Sequence, residues 1–235
     1  MLAFVALALL FTWPLQILVF TGVFAGGAAL AALGVAGLGP SLAALVLTHG
    51  RVLRGLGTAP SLAPALLALV GANLLVLIAV LVDAGAGGAR PALALPYFGA
   101  LLVPPLGEEL GWRGFLYPRL AERRGPLVAG LWTGMAWALW HVPTAVGGSA
   151  SDAVLYLLGI VGISLPIAWL MERGGRNLWI GVLAHLGING VVLVRGDSLR
   201  AIVLRTAVFT LAAVLAAVAL ARAPQSPRSL GRKSE

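Results

Sequence analysis

At 235 residues, 60% hydrophobic and only 10% charged, the chain lies far outside the composition of a soluble domain, whose charged share is about 25%. In a soluble protein 16 Lys and Arg against 8 Asp and Glu would suggest nucleic acid. Here those residues punctuate apolar runs of about 20 residues, the length that spans a bilayer, so the net charge of +8 reports topology and no nucleic-acid partner is expected.

Hydropathy divides the chain into about eight apolar spans, residues 2–24, 28–48, 62–81, 91–107, 127–146, 154–171, 178–194 and 202–221. The expected fold is all-α, a polytopic membrane protein with about eight transmembrane helices around an intramembrane polar cavity. The first span lacks a basic leader and does not read as a cleaved signal peptide. One transmembrane domain covers residues 1–223, and the Ser-, Pro-, Arg- and Gly-rich residues 224–235 read as a disordered cytoplasmic tail. With both termini cytoplasmic, Arg51, Arg54, Arg119, Arg123, Arg124, Arg173, Arg176, Arg222, Arg228, Arg232 and Lys233 lie inside, as the positive-inside rule requires. Arg90, Arg195 and Arg200 fall on the other face.

Small residues in Gly26-Gly27-Ala28-Ala29 and Gly34-Val35-Ala36-Gly37 are expected to let helices approach closely. Pro104-Pro105 predicts a bend just before an acidic pair. Trp13, Trp112, Trp132, Trp169 and Trp179, near predicted span ends, read as interfacial anchors. His49, beside Gly50 and Arg51, reads as interfacial too.

Three clusters carry chemistry. Glu108 and Glu109 close the fourth span, where an acidic residue costs roughly 2.5 to 3.5 kcal/mol near the middle of a membrane helix and so requires a cavity, a partner or a task. Arg113 follows Glu109 at i+4 and predicts an intrahelical ion pair. Glu108 points about 100° away and lacks that partner, which suits it to exchanging protons with water. His141 is the only ionisable group of its span, and His185 shares a helix face with Asn189 at i+4. Spans two, three and six carry almost no ionisable or amide groups, so a shared cavity among the other spans is the economical arrangement.

Glutamate with two histidines can polarise water, by general-base action or around a divalent metal such as zinc. Asn189 and one histidine could donate to a developing oxyanion. The reaction class is hydrolysis, most naturally of a peptide bond. There is no H-E-x-x-H helix, no G-x-S-x-G turn and no intramembrane aspartate pair, since Asp83, Asp152 and Asp197 fall at predicted loop edges. The absence of cysteine excludes a thiol nucleophile and thiolate metal sites.

The run Glu108-Glu109-Leu110-Gly111-Trp112-Arg113 resembles the E-E-x-x-x-R motif of the type II CAAX prenyl protease and bacteriocin-processing (CPBP, or Abi) family of intramembrane endopeptidases. Trp137 to His141 resembles its F-x-x-x-H motif, with Trp137 where Phe is usual, and His185-x-x-x-Asn189 its H-x-x-x-N motif. The specific likeness falls within residues 105–191. It implies that Glu108 and His141 activate water, that His185 and Asn189 stabilise the oxyanion, and that Glu109 with Arg113 orients the site, while Trp137 walls the pocket and affects substrate size. Members are described as metal-dependent, yet the same residues serve a metal-free glutamate mechanism; a metal, zinc by ligand type, would take Glu108, His141 and His185. The implied partners are membrane lipid and a membrane-associated, lipidated or leader-peptide substrate, and the residue bias points to a bacterial inner membrane. The rival readings are a non-catalytic immunity or scaffold protein with the same fold and a proton-coupled transporter, against which the lack of paired broken helices in two halves counts.

Overall fold

The computed structural model describes residues 1–71, 98–146, 149–189 and 199–222, the side chains of 98–102 and 199–206 excepted. The parts of the expected spans at 72–81, 91–97 and 190–194, the tail at 224–235, and Arg90, Arg195, Asp83 and Asp197 lie outside the described residues.

The described elements are helical, because long apolar runs without alternation leave the helix as the one local structure that satisfies every backbone group in hydrocarbon. Helix α1 (Leu2–Phe20) is followed by α2 (Gly26–Ala36) and α3 (Gly39–Thr48), which the sequence reads as one span and the chain interrupts at Gly37-Leu38. Helix α3 ends on His49 and Gly50, both in the left-handed region at φ 49° and 78°. His49 is exposed. A 3-10 turn (Arg51–Gly57) leads into α4 (Leu62–Gly71), bent 93° from it.

Helix α5 (Phe98–Gly111) runs straight into a π-helical segment (Trp112–Leu116) and α6 (Tyr117–Arg124). Helix α7 (Pro126–Trp140) and the single turn α8 (Val142–Ala145) are separated by His141. Then come α9 (Ala150–Arg173), α10 (Leu178–Asn189) and α11 (Leu199–Ala221). Among the described residues three helices are long and apolar enough to cross a membrane, Leu2–Phe20, Gly26–Thr48 and Ala150–Arg173. The molecule is thus a helical, polytopic membrane protein.

Helix α9 is the central strut, packed on α7, α10 and α11, while α1 packs on α2 and α3, and α5 lies between α3 and α10. The close approaches are not where the first glycine cluster predicts. At Gly26 and Gly27, both exposed, nothing lies within 4 Å of where a Cβ would be. The second cluster does make a close approach at Gly37, whose carbonyl would lie 2.9 Å from a Cβ at Gly107 of α5; other tight contacts include Gly111, where a Cβ would lie 2.5 Å from Pro40 of α3, and Gly134, where it would lie 2.9 Å from Ser164 of α9.

Two further expectations are corrected. Helix α5 continues through Pro104 and Pro105, and the irregularity falls downstream in the π segment, where the Tyr117 N–H reaches back five residues to the Trp112 carbonyl. Prolines are tolerated inside a membrane helix that packs on its neighbours, and further along the same helix Ser41 of α3 donates to the Gly107 carbonyl. Trp112 is fully buried rather than interfacial: its ring meets Phe4 of α1 edge-on at 5.4 Å, and Phe4 stacks on Phe115 at 4.9 Å. The other side of α6 is pinned by Tyr117, whose hydroxyl donates to Glu172 at 2.9 Å while Arg176 pairs with the same carboxylate at 2.7 Å.

Candidate active site

Three helices contribute the site. The C-terminal turn of α5 carries Glu108 and Glu109, the end of α7 carries Trp137 with His141 just after it, and the middle of α10 carries His185. Glu108, Glu109, Arg113, Trp137 and His185 are all buried, so each of their polar atoms must find a partner or cost stability.

Arg113 pairs with Glu109 as the i+4 spacing predicts, with Nη1 donating to Oε1 at 2.7 Å. The same oxygen faces His185 Nδ1 at 2.8 Å. A carboxylate only accepts, so the Nδ1 position carries the proton and His185 Nε2 is the nitrogen left for other work. Glu109 is thereby held by two charged or polar donors from two helices, the arrangement that offsets the cost of burying it. Its Oε2 has no hydrogen-bond partner among the described residues and faces Gly181 of α10, where a Cβ would lie only 3.1 Å away.

The second Arg113 nitrogen, Nη2, donates to Ser164 of α9 at 3.2 Å, and Ser164 in turn donates to the Gly130 carbonyl of α7 at 3.0 Å. The guanidinium also lies 4.6 Å from the centre of the Trp137 ring. Spans two and six therefore do contribute polar groups, Ser41 and Ser164, which carry no signal in the sequence because neither is ionisable. Gly181 is one glycine among 31, and nothing in the sequence singles it out.

Glu108 takes a different partner. Trp137 Nε1 donates to its Oε2 at 2.7 Å. The expectation that Trp137 acts through ring size alone is thus incomplete. His141 occupies the break between α7 and α8, where its Nδ1 lies 2.9 Å from the Trp137 carbonyl. A carbonyl cannot donate, so Nδ1 carries the proton and Nε2 is an acceptor. The His141 ring meets Trp140 at 4.5 Å and Trp137 at 5.7 Å, both edge-on, and Trp137 meets His185 at 4.9 Å. Asn189 ends α10 one turn beyond His185, partly buried and without a hydrogen bond among the described residues.

Among the described residues no three His, Asp or Glu side chains are gathered closely enough to hold a metal ion. Glu108, His141 and His185, the ligand set the resemblance implies, are not gathered as such a group.

Fold and site together define a helical membrane protein with a buried acid–histidine centre. Residues 90–191 match the Rce1-like family, type II CAAX prenyl endopeptidase Rce1-like, and every site residue above from Glu108 to Asn189 falls in that stretch. A CAAX prenyl protease 2 of Methanococcus maripaludis is 26% identical over 105 residues, a match that covers 40% of this chain and 39% of the relative. Over that stretch the chain is similar to the Rce1-like type II CAAX prenyl endopeptidase family, and it matches less than half the length of that curated relative.

Proposed function

We propose that the protein is an intramembrane endopeptidase in which Glu108 activates water without a metal. The observation that carries this reading is the different use of the two acids: Glu109 is consumed by Arg113 and His185, whereas among the described residues Glu108 is fixed by one oxygen only and keeps the other. Glu108 takes a proton from water as the oxygen attacks the peptide carbonyl, and returns that proton to the leaving amine nitrogen as the C–N bond breaks. His141 Nε2 accepts the second hydrogen bond of the water. His185, with Nδ1 anchored on Glu109, and Asn189 donate to the oxyanion; His185 does so with protons on both ring nitrogens.

The substrate is a membrane-associated, lipidated or leader-bearing peptide. An apolar cavity of about 430 Å³ bounded by Leu67, Ile163, Trp169, Ile188 and Phe209 adjoins α10 and would take a hydrocarbon chain. Eight spans in one transmembrane domain with both termini cytoplasmic, a disordered tail and residence in a bacterial inner membrane complete the proposal.

The test is cleavage of a membrane-peptide library by purified protein in detergent, wild type against Glu108→Gln, each before and after chelation and zinc add-back. Cleavage lost in the variant and indifferent to chelator supports the reading. Cleavage abolished by chelator and restored by zinc overturns its metal-free form, and cleavage that survives Glu108→Gln removes Glu108 from the chemistry.

A further inference from the structure

Residue 137 touches both groups that handle the water, by two independent routes. Its indole Nε1 donates to Glu108 Oε2 at 2.7 Å, and its main-chain carbonyl, one helical turn before His141, accepts from His141 Nδ1 at 2.9 Å. The carbonyl route is available to any residue in an α-helix at that place. The indole route is available to tryptophan and to no other apolar side chain, because it requires an N–H at the rim of a large ring.

The ring itself is over-determined. It is 4% exposed, covered on one face by the Arg113 guanidinium at 4.6 Å and abutted by His185 at 4.9 Å, so it cannot swing away without disturbing both. A carboxylate that ends a side chain with three rotatable bonds would otherwise turn freely in the site. With Oε2 held, the position of Oε1 follows.

We infer that Trp137 is a positioning residue for the general base: its indole N–H fixes Oε2 of Glu108, so that Oε1 is the oxygen presented to the attacking water. The inference rests on the reading of Glu108 as the base. A carboxylate that must be found in the right orientation at each turnover loses kcat, whereas one held there before substrate arrives does not. Substrate contacts are not involved, so KM is not the parameter that should move.

The experiment uses the full chain in detergent. Trp137→Phe keeps an aromatic ring and deletes the N–H, and Glu108→Gln serves as the control for the underlying reading. The expected result is a kcat roughly ten- to a hundredfold lower in Trp137→Phe with KM changed less than about threefold, consistent with loss of one hydrogen bond to a charged group. A second measurement needs no altered tryptophan: with 15N-labelled indoles, one of the seven resonances should move in Glu108→Gln, and that resonance should be the one missing from Trp137→Phe. Unchanged kcat in Trp137→Phe, or seven indole resonances indifferent to Glu108→Gln, overturns the inference while leaving Glu108 as the base. Activity that survives Glu108→Gln overturns the base assignment and the inference with it.

Discussion

Gly181 of α10 faces Glu109 of α5 across a gap too small for a methyl group: a Cβ there would lie 3.1 Å from Oε2 and 3.3 Å from two Arg113 side-chain carbons. The neighbours are a buried ion pair that is itself tied to His185, so they have little freedom to yield. Gly181→Ala should cost about 1–3 kcal/mol, as overpacking does, and Gly181→Val more. Thermal melting in detergent checks the order, wild type above Ala above Val, and a Gly181→Val protein as stable as wild type would show that the gap is not filled by these side chains.

Arg113 should be needed for folding before it is needed for anything else. Arg113→Ala leaves Glu109 buried with His185 as its remaining partner, and loss of one member of a buried pair costs about 3–5 kcal/mol. Arg113→Lys keeps the charge but cannot reach Glu109 and Ser164 with two separate planar donors, so it should recover part of the loss and not all. The measurement is the fraction of monodisperse protein extracted and its melting temperature, with Lys between Ala and wild type.

Ser164 couples α9 to α7 through Gly130 and to the site through Arg113. Ser164→Ala removes a donor and an acceptor at once and should lower stability by about 1–3 kcal/mol. Ser164→Val should be worse, since a Cβ at the facing Gly134 would already lie 2.9 Å from the Ser164 Cβ, and the helices have no room for a branch. Melting of the two variants separates the hydrogen-bond effect from the packing effect.

Trp112 supplies a contrast between ring and N–H. Its Nε1 is buried without a hydrogen-bond partner among the described residues, so Trp112→Phe gives up no bond and should melt close to wild type. Trp112→Ala should cost about 3–5 kcal/mol, because it empties a core position against Phe4. An interfacial tryptophan would show no such contrast, with both substitutions mild.

Much of the site is legible in the sequence because its geometry is short-range. Glu109 and Arg113 are one helical turn apart, as are Trp137 and His141, and periodicity alone brings each pair together. What the sequence hides is long-range and chemically quiet. Thr48 and Ser164 both carry hydroxyls in apolar helices; Thr48 bonds its own helix at Ala44, four residues back, while Ser164 links two other elements. Nothing local distinguishes them. The same holds for the tryptophans, since Trp179 donates to the Leu56 carbonyl and stays half-buried whereas Trp112 disappears into the core, and both stand near the end of an apolar run. The partner helices decide, and a single sequence does not say which helices are partners.

The π segment between the acidic pair and Tyr117 is a spacer of fixed phase. It admits one more residue per turn than the helices on either side, so the face that carries Glu108 and Glu109 and the face that carries the Tyr117–Glu172–Arg176 clasp are set by one residue's worth of rotation, about 100°. A chain shortened by a single residue within Trp112–Leu116 would keep its hydropathy and both acids, yet could satisfy the clasp or the site but not both at once. Length here is therefore as much a determinant of the reaction centre as the identity of any side chain in it.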